Sequence, residues 1–181
     1  CVKREAFMEE EHQFTKTVIC GHMPLCNYFH LMGDRLSFLP LRDAQKNIVC
    51  IDGGNAVKYS GQLNAYVIEN NQSSFLYTDD LQTAIVLKGQ EASITPSSVA
   101  WNHREVKLLQ KRIDRSLCLI PFTGKTLEIP NNLLYKENET LCSDDFTDNR
   151  LALKPGDTVK LLDMGEKECL VKHDGIIGWV S

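Results

Sequence analysis

Apolar residues in this chain fall in short runs separated by glycine, proline and small polar residues. Short runs rich in β-branched side chains and closed by turn formers predict strands. Thr17-Val-Ile-Cys20 is such a run, stopped by Gly21-His22-Met23-Pro24, and predicts a buried strand feeding a loop. Asn47-Ile-Val-Cys-Ile-Asp52 predicts a second strand, broken by Gly53-Gly54, and Gln62-Leu-Asn-Ala-Tyr-Val-Ile68 a third, opened by Gly61. The glycine-rich connection between these last two suggests an antiparallel pair. Ahead of them, Phe7, Met8 and Phe14 among Glu9, Glu10 and Glu11 predict one short, partly exposed helix over Arg4–Phe14. Asn27 to Asp43 fits neither period cleanly.

The polar stretch Glu69 to Ser74 is the natural boundary, because the pattern beyond it changes to shorter strands and more frequent turns. The later part carries an internal echo. Val106-Lys-Leu-Leu109 recurs 53 residues on as Val159-Lys-Leu-Leu162. Each is followed by a polar turn, an apolar strand, a turn glycine (Gly124 or Gly175) and a closing strand, so a duplicated β unit is expected. The resulting division is 1–72, 73–138 and 139–181.

Composition narrows the function classes. With 20 basic and 24 acidic residues and a net charge of −4, the chain lacks the dense basic face of a nucleic-acid binder. The one basic stretch, Lys107 to Arg115, includes Asp114 and reads as a solvated strand and turn. No run approaches the roughly 20 apolar residues of a membrane helix, so neither nucleic acid nor membrane is expected as a partner. The seven cysteines are odd in number and form no C-x-x-C pair. They read as reduced, small buried residues of a cytoplasmic protein. The start at Cys1, without methionine or an apolar signal core, suggests a processed chain or a fragment. The sequons at Asn71 and Asn138 read as chance.

His22 is the sharpest candidate for chemistry. A strand ending in Gly-His presents an imidazole at its carboxyl edge, and imidazole is the commonest side-chain metal ligand; Gly21 lets the backbone approach closely. An isolated Gly-His is more readily read as a plain loop histidine without a ligand. Cys1 as an amino-terminal nucleophile has no supporting pattern. His30, His103 and His173 look too scattered for a cluster, and Asp79-Asp80 and Asp144-Asp145 read as solvated turns.

Taken together, Val18-Ile-Cys-Gly-His22-Met-Pro24, Ile48-Val-Cys-Ile-Asp52-Gly-Gly54 and Gly61-Gln-Leu63-Asn-Ala65 resemble the end of the catalytic domain in calcineurin-like metallophosphoesterases, closest to the bacterial serine/threonine protein phosphatase-like branch. The resemblance covers Thr17 to Glu69. Met23 stands where threonine is usual and Gly53 where threonine or cysteine is common; neither change removes a ligand. The resemblance implies that His22 binds one of two divalent metal ions (Mn, or Fe and Zn) and that Asp52 positions the sheet and loop behind the site. Gly53, Gly54 and Gly61 would serve tight turns. The reaction implied is two-metal hydrolysis of a phosphorylated protein or small molecule.

The family builds most of its site from Gly-Asp-x-His, Gly-Asp-x-x-Asp-Arg-Gly and Gly-Asn-His-Glu, which are not in this sequence; Gly33-Asp34-Arg35 is only a turn. The chain alone is therefore expected to be inactive. Its tail, Leu151 through Val180 with Pro155-Gly156-Asp157 and Gly175-Ile-Ile-Gly-Trp179-Val180, resembles a bacterial SH3-like barrel, and Trp101 to Tyr135 resembles a diverged copy. Trp179 is either part of a peptide or glycan groove or a partly buried barrel aromatic. The expected architecture is an α/β fragment of a phosphoesterase β-sandwich followed by mostly-β SH3-like barrels, β-rich overall. The alternative is a non-catalytic module that binds a protein, peptide or cell-wall ligand.

Overall fold

The structure is a computed structural model describing residues 7–165 and 167–181. Cys1 and the first residues of the expected helix lie outside the described residues. Strand makes up 45% of the chain and helix 8%. The helical turns among the described residues are all of the tight 3-10 kind, so the helical layer of an α/β fragment is not formed there. No helix among them is long and apolar enough to cross a membrane.

The chain divides into two compact units, the first made of the described part of Cys1–Cys26 with Phe38–Leu81, the second of Asn27–Ser37 with Gln82–Ser181. In the first unit, β1 (Val18–Cys20), β2 (Leu41–Asp43) and β3 (Ile48–Cys50) form one sheet in the order β1-β3-β2. β1 runs parallel to β3, pairing Val18 with Ile48 and Cys20 with Cys50, while β2 runs antiparallel to it. Parallel strands need both faces covered, and β3, the central strand, is buried throughout. Residues 7–14 form turns rather than the expected helix. Phe7, His12 and Phe14 cluster through their rings, the Phe14 amide donates to the Lys46 carbonyl, and Lys46 Nζ donates to the Met8 carbonyl at 2.7 Å. These contacts with the β2–β3 turn hold the segment in a shape a helix cannot match.

The expected antiparallel pairing of the second and third strands also does not form. β3 has both edges taken, and β4 (Leu63–Glu69) pairs instead with β5 (Gln72–Thr78). The polar stretch read as a boundary is the reversal of this hairpin. Asn70 and Asn71 both adopt left-handed φ there, 48° and 62°, the two-residue geometry whose twist suits a hairpin.

In the second unit, β8 (Lys107–Lys111), β9 (Arg115–Ile120) and β10 (Lys125–Pro130) make an antiparallel meander. β14 (Thr158–Met164), β15 (Cys169–His173) and β16 (Ile176–Val180) make another. The two stretches sharing Val-Lys-Leu-Leu thus take the same form in detail. A register shift falls between Leu108 and Gln110 in one and between Leu161 and Asp163 in the other. Gly124 and Gly175 close equivalent turns at φ 70° and 71°, a conformation glycine adopts without steric cost.

Val99, Val106, Cys118, Ile120, Leu127, Ile129 and Phe146 form the core of the first meander. The second meander's sheet is completed from earlier in the chain. β6 (Thr83–Ile85) pairs with β14, and Val86 packs among Leu151, Leu153, Val159 and Val171. Residues 139–181 therefore do not make that core alone. Two further pairs, β7 (Ser98–Val99) with β13 (Phe146–Thr147) and β11 (Leu134–Glu137) with β12 (Thr140–Ser143), complete the unit. Among the described residues no sheet closes into a barrel, since closure needs a tilt and stagger that three or four short strands do not reach.

Candidate functional site

The parallel register of β1 and β3 decides the geometry of the candidate site. Because Cys20 is opposite Cys50, the loops that follow, Gly21-His22 and Ile51-Asp52, leave the sheet side by side at its carboxyl edge. The amide of Ile51 donates to the Cys20 carbonyl at 3.0 Å and ties the loops at their roots. In open sheets with parallel strands, ligands bind outside this edge. His22 is exposed there with φ 81°. Non-glycine residues in that region are uncommon, and strained ones cluster at functional sites.

Asp52 is committed to the loops. Its Oδ1 accepts from the Gly54 amide at 2.9 Å, and its carbonyl accepts from Leu25, just past the His22 loop, at 2.9 Å. A Cβ placed on Gly21 would sit 3.7 Å from both Asp52 Cβ and Oδ2, so the carboxylate packs against the residue that precedes His22.

Two glycines are demanded by backbone crossing. A Cβ on Gly53 would lie 2.0 Å from the Gln62 carbonyl oxygen, and one on Gly61 would lie 2.5 Å from that of Gly54. Gly54 turns at φ 68°, and Gln62 donates from its amide to the Gly53 carbonyl at 2.8 Å. Two side chains that sequence reasoning passed over pin this crossing. Gln62 Nε2 donates to the Phe38 carbonyl (3.2 Å) and to Asn64 Oδ1 (2.8 Å). Asn64 Nδ2 donates to the carbonyls of Phe38 (2.8 Å) and Ile51 (3.1 Å). The only sequence hint was two amides alternating with Leu63 and Ala65.

Cys20 and Cys50 interact directly beneath the edge. Cys50 gives a hydrogen bond that holds the Cys20 thiol below its usual range, while burial and the Asp52 charge oppose that effect. Cys50 is pushed up, first by giving that hydrogen bond and then by burial. Burial raises the thiols of Cys118 and Cys142 as well. Among these, only Cys20 combines partial exposure with a favoured thiolate. Limited alkylation with iodoacetamide, mapped by mass spectrometry, is expected to modify Cys20 well before Cys118 or Cys142. Equal rates at all three would contradict this electrostatic picture.

No known protein family matches this chain, and no curated protein or solved structure matches it either.

In the second unit, Trp179 is anchored. Its indole Nε1 donates to the Thr147 carbonyl at 2.8 Å, its own carbonyl accepts from Gln90 Nε2 at 2.6 Å, and its ring packs on the first meander's core. It also lines an open groove of about 1100 Å³ with Phe146, Arg115, Arg150, Asp114 and Asp163. The Arg115 guanidinium lies 5.9 Å over the Phe146 ring, and Arg150 pairs with Glu168 at 2.7 Å. Trp179 is thus partly buried and at the same time lines this groove. Trp179→Phe, which removes the indole donor and part of the ring packed on the core, is expected to cost at least about 1 kcal/mol in urea unfolding. An unchanged midpoint would show that the anchor contributes nothing.

The histidines are less scattered than the sequence suggested. The His30 and His103 rings lie 5.4 Å apart, edge to face, and His103 stacks on Phe122 at 3.4 Å. His173 has other contacts, to the Thr158 carbonyl and Asp174. Of the paired aspartates, Asp79 accepts from the Leu81 amide two residues on, and Asp145 accepts from the amide of the distant Trp101. The basic stretch is an exposed strand and turn in which Arg112 pairs with Glu128.

Proposed function

We propose that this chain is the C-terminal portion of a metal-dependent phosphoesterase of the calcineurin-like class and contributes His22 to its metal centre. The observation that carries the reading is the shared carboxyl edge of β1 and β3, where an exposed, left-handed His22 stands beside a loop organised by Asp52. The donor set fits one ligand position. His22 offers an imidazole, whereas Asp52 already accepts from its own loop. A single imidazole does not hold two metal ions at useful affinity, so the chain forms one wall of a site and no hydrolytic step is assigned to it alone. The exposed apolar residues of the β4–β5 hairpin, Leu63, Ile68 and Leu76, further support a sheet that other strands complete.

The sequence immediately upstream of Cys1 tests this reading. Gly-Asp-x-His and Gly-Asn-His-Glu are expected there; an initiation codon at that point would overturn it.

A second reading rests on the Trp179 groove. The sequence of the tail resembles SH3-like modules, and a floor of Phe146 and Trp179 rimmed by charges of both signs suits a peptide. In this reading the tail docks the protein to a protein or cell-wall partner. Binding of such a peptide that is lost in Arg115→Ala, with the fold intact, is the expected result; binding unchanged by that substitution contradicts it.

A further inference from the structure

Beneath the His22 edge the first unit brings together three sulfur atoms from three separate segments. The register of β1 and β3 sets Cys20 directly opposite Cys50, whose Sγ also lies 4.0 Å from the Met23 carbonyl oxygen. From the amino-terminal segment, Met8 places its Sδ 4.0 Å from Cys20 Sγ. Met8 and Cys50 are almost wholly buried, at 2% and 1% exposure, while Cys20 is partly open to solvent and gives an ion a way in. The Met8 backbone is fixed from outside by Lys46 Nζ, which donates to its carbonyl. A metal ion bonded to three sulfurs at about 2.3 Å in a plane holds them about 4.0 Å apart. The Met8–Cys20 separation already has that value.

We infer that Met8, Cys20 and Cys50 form a binding site for a soft monovalent metal ion, Cu(I), in trigonal sulfur coordination. Two thiols and a thioether are the donor set that selects Cu(I) over hard divalent ions. The site is distinct from the one assigned to His22 and does not depend on the phosphoesterase reading. Binding releases the thiol protons to solvent and changes no oxidation state.

The test is anaerobic titration of the purified chain with Cu(I) in competition with bicinchoninate, followed by X-ray absorption of the loaded protein. One tightly held equivalent with three sulfur neighbours is expected. Cys20→Ser should abolish it. Met8→Leu, which conserves volume and so keeps the fold, should weaken it by at least the roughly tenfold that even an outer-shell partner of a metal site contributes. Cys169→Ser, in the second unit, should leave it unchanged. Full affinity in Met8→Leu, two-sulfur coordination, or equal loss in Cys169→Ser would each overturn the proposal. So would a mass two hydrogens lighter, a Cys20–Cys50 disulfide, in place of metal uptake under the same anaerobic conditions.

Discussion

In the protein extended upstream of Cys1, His22→Ala is expected to lower phosphoesterase activity by at least a hundredfold, an effect on the scale of removing one essential electrostatic element of an active site. Metal content should fall with it. The fold should survive, because His22 is exposed and lies in a loop held by other groups. The Cys20 and Asp52 carbonyls accept from Ile51 and Leu25 through main-chain bonds that the substitution leaves in place. Alanine meets the same backbone constraint at φ 81° that histidine already bears, so stability should change little alongside the loss of activity. Circular dichroism and metal analysis on the same sample separate the two effects. Full activity with normal metal content would refute the ligand assignment.

Gly53→Ala is expected to destabilise the first unit by about 3 kcal/mol or more, at the upper end of overpacking costs. The added carbon would stand 2.0 Å from the Gln62 carbonyl oxygen and 2.9 Å from Asn64 Nδ2. Main chain cannot swing away as the tip of a long side chain can. To relieve the contact, the bond from the Gln62 amide to Gly53 must lengthen, and with it the amide ladder that Gln62 and Asn64 make to Phe38 and Ile51. Gly124→Ala is the useful comparison, since nothing lies within 4 Å of a Cβ there and only its φ of 70° opposes the change. Its cost should be about 1 kcal/mol. Chemical denaturation of the two variants side by side should show the larger loss at Gly53, and equal losses would contradict the crossing as described.

The strands around His22 and Asp52 were legible because each is a β-branched run stopped by glycine or proline, a signal local to a few residues. Their partners were not. Whether Ile48–Cys50 pairs with Val18–Cys20 or with Leu63–Glu69 depends on contacts distant in sequence, and a glycine-rich link looks the same in either case. Asn70-Asn71 carried the missing information, since asparagine tolerates left-handed φ and a pair of them suits a tight reversal, yet a polar stretch reads as easily as a boundary. Gln62 and Asn64 ran against pattern. Alternation suggests Leu63 inside and the amides outside, but Leu63 is 58% exposed and Gln62 fully buried. Burial of the amides is sustained by the carbonyls they satisfy, which sequence does not reveal. The segment 7–14 failed as a helix for a similar reason, its backbone being claimed by Lys46 and its rings by one another. The repeat, by contrast, was legible through Val-Lys-Leu-Leu and its spaced glycines, and the structure adds a register shift at matching positions that the sequence did not announce.

The proposed role of His22 is that of one ligand in a centre that this chain only partly builds. Equilibrium dialysis against Mn²⁺, with p-nitrophenyl phosphate hydrolysis read on the same samples, compares this purified chain with the protein that includes the upstream sequence. Two tightly held ions and metal-dependent turnover are expected in the longer protein, and neither in this chain. Two ions and turnover in this chain alone, or their persistence in the longer protein carrying His22→Ala, would contradict that role.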